Sequence, residues 1–214
     1  MYSELKQKAY EANMMLYHYG IVPFTWGNAS QCDRALGVFA IKPSGVPYET
    51  LSPDKMVVVD MDGNPVEGTY NPSSDTATHA VLYAAFPTIG GVVHTHSVNA
   101  VAFAQAGMPI PAFGTTHADF TFGNVPCTRA LTADEVNGEY EKNTGLLIRE
   151  YFEETGTDPE SVPAVPIGPP LHIIRGSDAY GTCHRLRSSP MPGDMPVDRI
   201  RPCRHPIRPA SPAA

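Results

Sequence analysis

Gly90-Gly91-Val92-Val93-His94-Thr95-His96-Ser97 is the stretch around which the other 206 residues of this 214-residue chain can be arranged. A Gly-Gly break leads into two β-branched residues, and the sequence after Ser97 takes on helical spacing. It therefore predicts a short buried strand ending in two histidines. Alternate residues of a strand share a face, so His94 and His96 project together while Thr95 turns away. Two imidazoles placed that way suit one divalent metal. They suit equally a pair of hydrogen-bonded histidines at a strand end, and H-x-H alone does not separate the two.

Upstream of this strand, Pro72-Ser73-Ser74-Asp75 precedes Thr76–Phe86, where Ala77, Val81, Leu82 and Ala85 make a helical stripe. Ser and Asp are natural helix caps, and a helix start also favours anions through its free N–H groups and dipole. Met56–Asp60 reads as a β-branched strand, turned by Asp62-Gly63-Asn64-Pro65 into Val66-Glu67-Gly68. Val38–Ile41 is a short apolar strand feeding the loop Lys42-Pro43-Ser44-Gly45. Thr25-Trp26-Gly27-Asn28-Ala29-Ser30 reads as a polar turn, after an amphipathic helix over 2–19 closed by Gly20.

Downstream, a helix is expected over about 97–106, then an irregular segment from Gly114 to Gly123. Thr132-Ala133-Asp134-Glu135 is a capping box. It opens a helical stretch to Glu154, broken near Asn137-Gly138 and stopped at Gly156. Mixed strands and helices, with strands concentrated between 38 and 96, predict an α/β layered fold.

Composition narrows the function classes. The formal net charge of -7 argues against nucleic acid as a bulk electrostatic partner. No apolar run reaches the ~18–20 residues that span a bilayer, and the start lacks a signal-peptide pattern. Four cysteines (32, 127, 183, 203) form neither a zinc knuckle nor a disulfide frame. The expected setting is the cytoplasm, with neither membrane nor nucleic acid as partner.

Three polar loops accompany the histidines: Gly27-Asn28, Ser44-Gly45 and Ser73-Ser74-Asp75. Each places small or hydroxyl residues at a strand end or helix start, as a phosphate cradle requires. T-W-G-N-A-S, I-K-P-S-G-V, P-S-S-D-T, G-G-V-V-H-T-H-S and G-T-T-H-A-D-F together closely resemble the class II aldolase/epimerase family, over about residues 1–165. G-T-T-H-A-D followed by P-C-T-R points to its epimerase branch.

The resemblance implies a three-layer α/β fold with a central, largely antiparallel sheet flanked by helices. It implies a homotetramer with active sites between subunits, a small sugar-phosphate substrate, and zinc or another divalent metal as cofactor. His94 and His96 would be metal ligands, with Asp75 in the acidic position beside them. Gly27, Asn28, Lys42, Ser44, Gly45, Ser73 and Ser74 would bind substrate, chiefly its phosphate, and Asp119 would be the catalytic acid/base. The implied reaction is inversion at C4 of L-ribulose 5-phosphate to D-xylulose 5-phosphate, a step of arabinose breakdown, by breaking and remaking the C3–C4 bond. An aldolase acting on fuculose- or rhamnulose-type phosphates is the alternative, against which Asp rather than Glu at 75 counts. A non-catalytic metal-binding remnant is another.

After Val165 the match is lost. Pro170 falls where the family carries a third metal-binding histidine, with His172 two residues on, and the family's C-terminal tyrosine has no counterpart. Residues 163–214 hold 7 Arg, no Lys and 11 of the 22 prolines. The prolines from 190 to 212 forbid a sustained helix, so 166–214 is expected to be a disordered Pro/Arg-rich tail. A GC-rich gene read in a shifted frame would give such a composition.

Overall fold

The computed structural model describes residues 1–167 and the backbone of 171–174. The histidine-bearing stretch forms β5 (Gly91–Thr95), near the middle of an antiparallel sheet. The other strands are β1 (Asn28–Asp33), β2 (Val38–Ile41), β3 (Val57–Asp60), β4 (Pro65–Glu67), β6 (Ala164–Pro166) and β7 (Leu171–Ile174). Their spatial order is β4-β3-β2-β1-β5-β7-β6.

Period-two alternation splits the strand side chains between two cores. Ala29, Val38, Ala40, Val58, Val93 and Ala164 face one way, onto helix α1 (Ser3–His18) and Ala100 of α3 (Val98–Gln105). Cys32, Phe39, Ile41, Val57, Val59, Val92 and Val165 face the other way, onto α2 (Thr76–Ala85) and α6 (Tyr140–Thr155). Fully burying such a Val, Ile or Phe is worth about 1.5–3 kcal/mol relative to leaving it exposed. Apolar matter on both sheet faces makes this the expected three-layer α/β fold. His94 follows Val92 by two residues and so points to the α2 side.

Three local expectations are corrected. Thr25–Ser30 is not simply a turn: from Asn28 it is β1, a strand at the centre of the sheet. Asn-Ala-Ser-Gln-Cys-Asp has little β-propensity, but several of its polar groups find partners in the interior, Asn28 Oδ1 excepted. Asn13 of α1 donates to the Ala29 carbonyl (2.7 Å) and accepts from the Ala29 N–H (2.9 Å). The 114–123 segment contains a single helical turn, α4 (Thr115–Ala118). Strands also extend beyond 38–96: β7, inside the expected tail, pairs with β5 on one side and β6 on the other. Arg175–Ala214, where the rest of that tail falls, lies outside the described residues.

The capping box forms as read. Thr132 accepts from the Glu135 N–H while Glu135 accepts from the Thr132 N–H, opening α5 (Ala133–Asn137). Arg129 then grips Glu135 and Glu150 together, at 2.9 and 2.7 Å. Among the described residues no helix is long and apolar enough to cross a membrane.

Candidate active site

Gly27 opens the site. Its φ of +76° suits glycine, and a Cβ there would meet the His94 carbonyl oxygen at 2.9 Å and Val22 Cγ1 at 2.5 Å. The close approach brings the next residue, Asn28, into register across from His94. On the helix side, Ser73 and Asp75 stand at the start of α2, yet no side chain caps it. The Asp75 carboxylate instead accepts from Asn28 Nδ2 at 2.6 Å, and the same amide donates to Ser73 Oγ at 3.1 Å. A carboxylate that the helix would ordinarily keep for its own N–H groups is thus turned toward the sheet.

His94 and His96 converge. Their Nε2 atoms lie 2.9 Å apart and their rings are nearly perpendicular, at 87°. Asp75 Oδ2 lies 4.0 Å from His94 Nε2, and Trp26 packs beside His96, with ring centroids 5.4 Å apart. Burial pushes His94 down to about 4, against the attraction of Asp75, and lowers His96 too. Burial works to raise Asp75, but His94, His79 and the Asn28 amide outweigh it and hold that carboxyl below its ordinary value. At neutral pH the cluster is therefore two neutral imidazoles beside an anionic carboxylate.

That donor set fits a divalent cation. Two nitrogens on one tetrahedral zinc, each at 2.0–2.1 Å, stand about 3.3 Å apart, close to the separation of the two Nε2 atoms. Among the described residues no three His, Cys, Asp or Glu side chains are grouped so as to hold a metal ion together. The two imidazoles are in contact and the Asp75 carboxylate, held by Asn28, lies 4.0 Å from the nearer ring nitrogen. The register of β7 on β5 sets the backbone of His172 across from His94.

The cluster lines a cavity of about 340 Å³, and so do the three polar loops: Gly27-Asn28, Ser44-Gly45 and Ser73-Ser74. Two backbone bonds tie the second loop to the third, Ser44 N–H to the Asn71 carbonyl (2.9 Å) and Ser73 N–H to the Lys42 carbonyl (3.0 Å). Lys42 supplies the positive charge. It is 2 % exposed, and no carboxylate pairs with it among the described residues. Its ammonium rests on the Thr25 and Pro43 carbonyls and over the Tyr48 ring, 4.8 Å from the centroid. Burial lowers its pKa to about 8.

Of the expected site residues, only Asp119 is not brought here. It is exposed at the end of α4 and does not line the cavity. His117 beside it bonds the Gly123 carbonyl at 2.7 Å and closes that loop. The sequence reading missed Tyr140, Glu141 and Thr144 of α6, and Thr78 of α2, which also line the cavity. Thr78 Oγ1 donates to the Glu141 carbonyl at 2.5 Å, which seats the start of α6 over the site. No local motif signals that long-range contact.

Comparison with known proteins identifies the family. Residues 7–156 match the family described as Class II Aldolase and Adducin N-terminal domain. The chain is 56% identical over 181 residues to L-ribulose-5-phosphate 4-epimerase UlaF of Salmonella typhi, covering 85% of this chain and 78% of that protein. Among solved structures it is similar to an L-fuculose 1-phosphate aldolase, with TM-score 0.67 and 23% identity over 86% of this chain and 82% of the other. It is similar also to the L-fuculose-1-phosphate aldolase of Thermus thermophilus, with TM-score 0.64 and 21% identity over 88% and 93% of the two chains. At those identities the structural likeness is one of fold.

Proposed function

This chain belongs to the class II aldolase and adducin N-terminal domain family, and from that premise we propose that it interconverts L-ribulose 5-phosphate and D-xylulose 5-phosphate at C4. The observation that carries this reading is a single cavity lined both by a neutral imidazole pair with a carboxylate and by Lys, Ser and Gly residues suited to an anion. The high identity to an enzyme named as that epimerase supports the same choice.

The C4 hydrogen is not acidic, so inversion there proceeds by losing the C4 hydroxyl proton and breaking C3–C4. The products are the enediolate of dihydroxyacetone and glycolaldehyde phosphate. Rotation of the aldehyde and re-addition to its opposite face give the epimer. Lys42, Ser44, Gly45, Ser73 and Ser74 hold the phosphate throughout, so the aldehyde turns without leaving. Asn28 fixes Asp75 and Ser73 together. His94, His96 and Asp75 would hold a divalent cation. When bound, that cation supplies Lewis-acid stabilisation of the charge developing on the keto half of the sugar.

Asp119 takes the role of acid/base at the C4 hydroxyl in a neighbouring subunit's cavity. Its exposure and its distance from its own cavity lining support that assignment, as do the exposed Phe113 and Phe122 flanking it. The working assembly under this reading is a homotetramer. Its setting is the cytoplasm, consistent with the free thiols of Cys32 and Cys127.

A coupled assay for D-xylulose 5-phosphate, run beside an assay for cleavage of L-fuculose 1-phosphate, tests the reading. Turnover of the pentulose phosphate is expected. Cleavage of the fuculose ester alone would transfer the site to the aldolase alternative, and turnover of neither would favour the metal-binding remnant.

A further inference from the structure

From Asn28 and Asp75 a polar network runs back behind the cavity into residues that the proposed mechanism does not use. Asp75, His79 and Tyr83 recur every four residues and share one face of the helical segment containing α2, while Asn28 and Ser30 share one face of β1. The two faces meet in two rungs. The first is the Asn28–Asp75 bond at 2.6 Å. In the second, Ser30 Oγ contacts His79 Nδ1 at 2.7 Å and Tyr83 Oη at 2.8 Å, and Tyr83 Oη donates to the Ser30 carbonyl at 3.0 Å. Ser30, His79 and Tyr83 are all fully buried, and none lines the cavity.

Counting hydrogens fixes the direction of the second rung. Tyr83 has one hydroxyl hydrogen, which the Ser30 carbonyl takes. The Ser30 hydroxyl must then donate to Tyr83 Oη if their 2.8 Å contact is a hydrogen bond. Its oxygen is left to accept from His79, which makes His79 the Nδ1–H tautomer. Burial keeps that ring neutral, with a pKa pushed down to about 3. All three bonds are then satisfied, and His79 Nε2 is left without a hydrogen-bond partner among the described residues.

Packing alone does not require these groups. Ala80 and Leu82 of α2 already lie in the same core as Phe39 and Val92 of the sheet. Apolar contacts tolerate small slides, whereas a directed hydrogen-bond network specifies one arrangement. Asp75 stands four residues, about 6 Å along the axis, before His79. The rotation and height of α2 on β1 therefore set the distance from Asp75 to His94, the register partner of Asn28.

We propose that Ser30, His79 and Tyr83 are positioning residues that lock α2 onto β1 and so hold the Asp75 carboxylate beside His94 and His96. This rests on the reading of that cluster as a divalent-metal site.

The test is the Co²⁺ dissociation constant of the purified full chain by equilibrium dialysis, with melting temperature recorded beside it. The variants are Asp75→Asn, Ser30→Ala, His79→Phe, His79→Asn and Leu82→Ala. Ser30→Ala and His79→Phe are expected to weaken Co²⁺ binding about tenfold, the low end for groups that orient a ligand. His79→Asn, whose amide N–H takes the place of Nδ1–H, should restore binding to within about threefold of the parent. Leu82→Ala should lower the melting temperature while leaving the dissociation constant unchanged. If Asp75→Asn weakens binding but Ser30→Ala and His79→Phe lower only the melting temperature, the positioning role is overturned and the metal-site reading stands. The positioning role is overturned equally if Leu82→Ala shifts the constant as much as they do. If the parent binds no Co²⁺, or Asp75→Asn binds as well as the parent, the metal-site reading falls and the positioning role falls with it.

Discussion

Lys42 offers a prediction whose size follows from the structure. Its ammonium is buried against two carbonyls and the Tyr48 ring, with no carboxylate paired to it among the described residues, and its pKa is lowered to about 8. A lysine loses its charge as pH rises through its pKa, so the sign is a weaker grip on phosphate on the alkaline side. With a pKa of about 8, Lys42 is about nine-tenths protonated at pH 7 and about one-tenth at pH 9. Because kcat/KM reports the free enzyme, it should fall about tenfold between those two values. A bound phosphate dianion holds the proton on, so kcat at saturation should move much less. Removing the charge with Lys42→Met forfeits a charge-assisted hydrogen bond of about 1.5–3 kcal/mol, which is about a 10- to 150-fold rise in KM. The assay is the coupled measurement of D-xylulose 5-phosphate from pH 6.5 to 9.5, with parent and variant over the same substrate range. A kcat/KM that stays level to pH 9, together with a Lys42→Met KM within twofold of the parent, would refute the assignment of Lys42 to the phosphate.

Gly27→Ala should lose about 1–2 kcal/mol to the left-handed backbone and about 1–3 more to the clash with Val22 and the His94 carbonyl. Urea unfolding would show the loss, and a change under 1 kcal/mol would contradict the packing described. Asp119→Asn and His96→Asn should each abolish turnover. Subunits of the two, denatured and refolded together in equal amounts, should regain about one quarter of parental activity, because random assembly pairs an intact cavity with an intact neighbouring Asp119 at that frequency. No recovery in assembled mixed oligomers would place Asp119 outside the shared site.

Much of this was legible in the sequence because local chemistry decided it. The β-branched runs at 38–41, 57–60 and 91–95 form strands where alternation puts them. Thr132 and Glu135 cap α5 as their spacing requires. The histidines of H-T-H converge because strand geometry leaves them little choice. What escaped was decided by partners distant along the chain. Asn28–Asp33 is polar and reads as turn, but Asn13, Asp75, His79 and Tyr83 receive its polar groups and make it a central strand. Asp75 has the look of a helix cap, and only the Asn28 amide across the sheet turns it into a site carboxylate. Tyr140 and Glu141 reach the cavity through the seating of α6 on Thr78, which no periodicity encodes.

Metal dependence of turnover on L-ribulose 5-phosphate probes the imidazole pair and the proposed reaction together. The protein is stripped with chelator, dialysed, and reloaded with one equivalent of Zn²⁺, Co²⁺ or Mn²⁺, beside a His94→Ala/His96→Ala double variant treated identically. Formation of D-xylulose 5-phosphate is predicted to be lost on stripping, to return with at least one of the three cations, and not to return in the double variant. Undiminished epimerisation in the stripped protein, or in the double variant, would contradict a metal-centred site at His94 and His96.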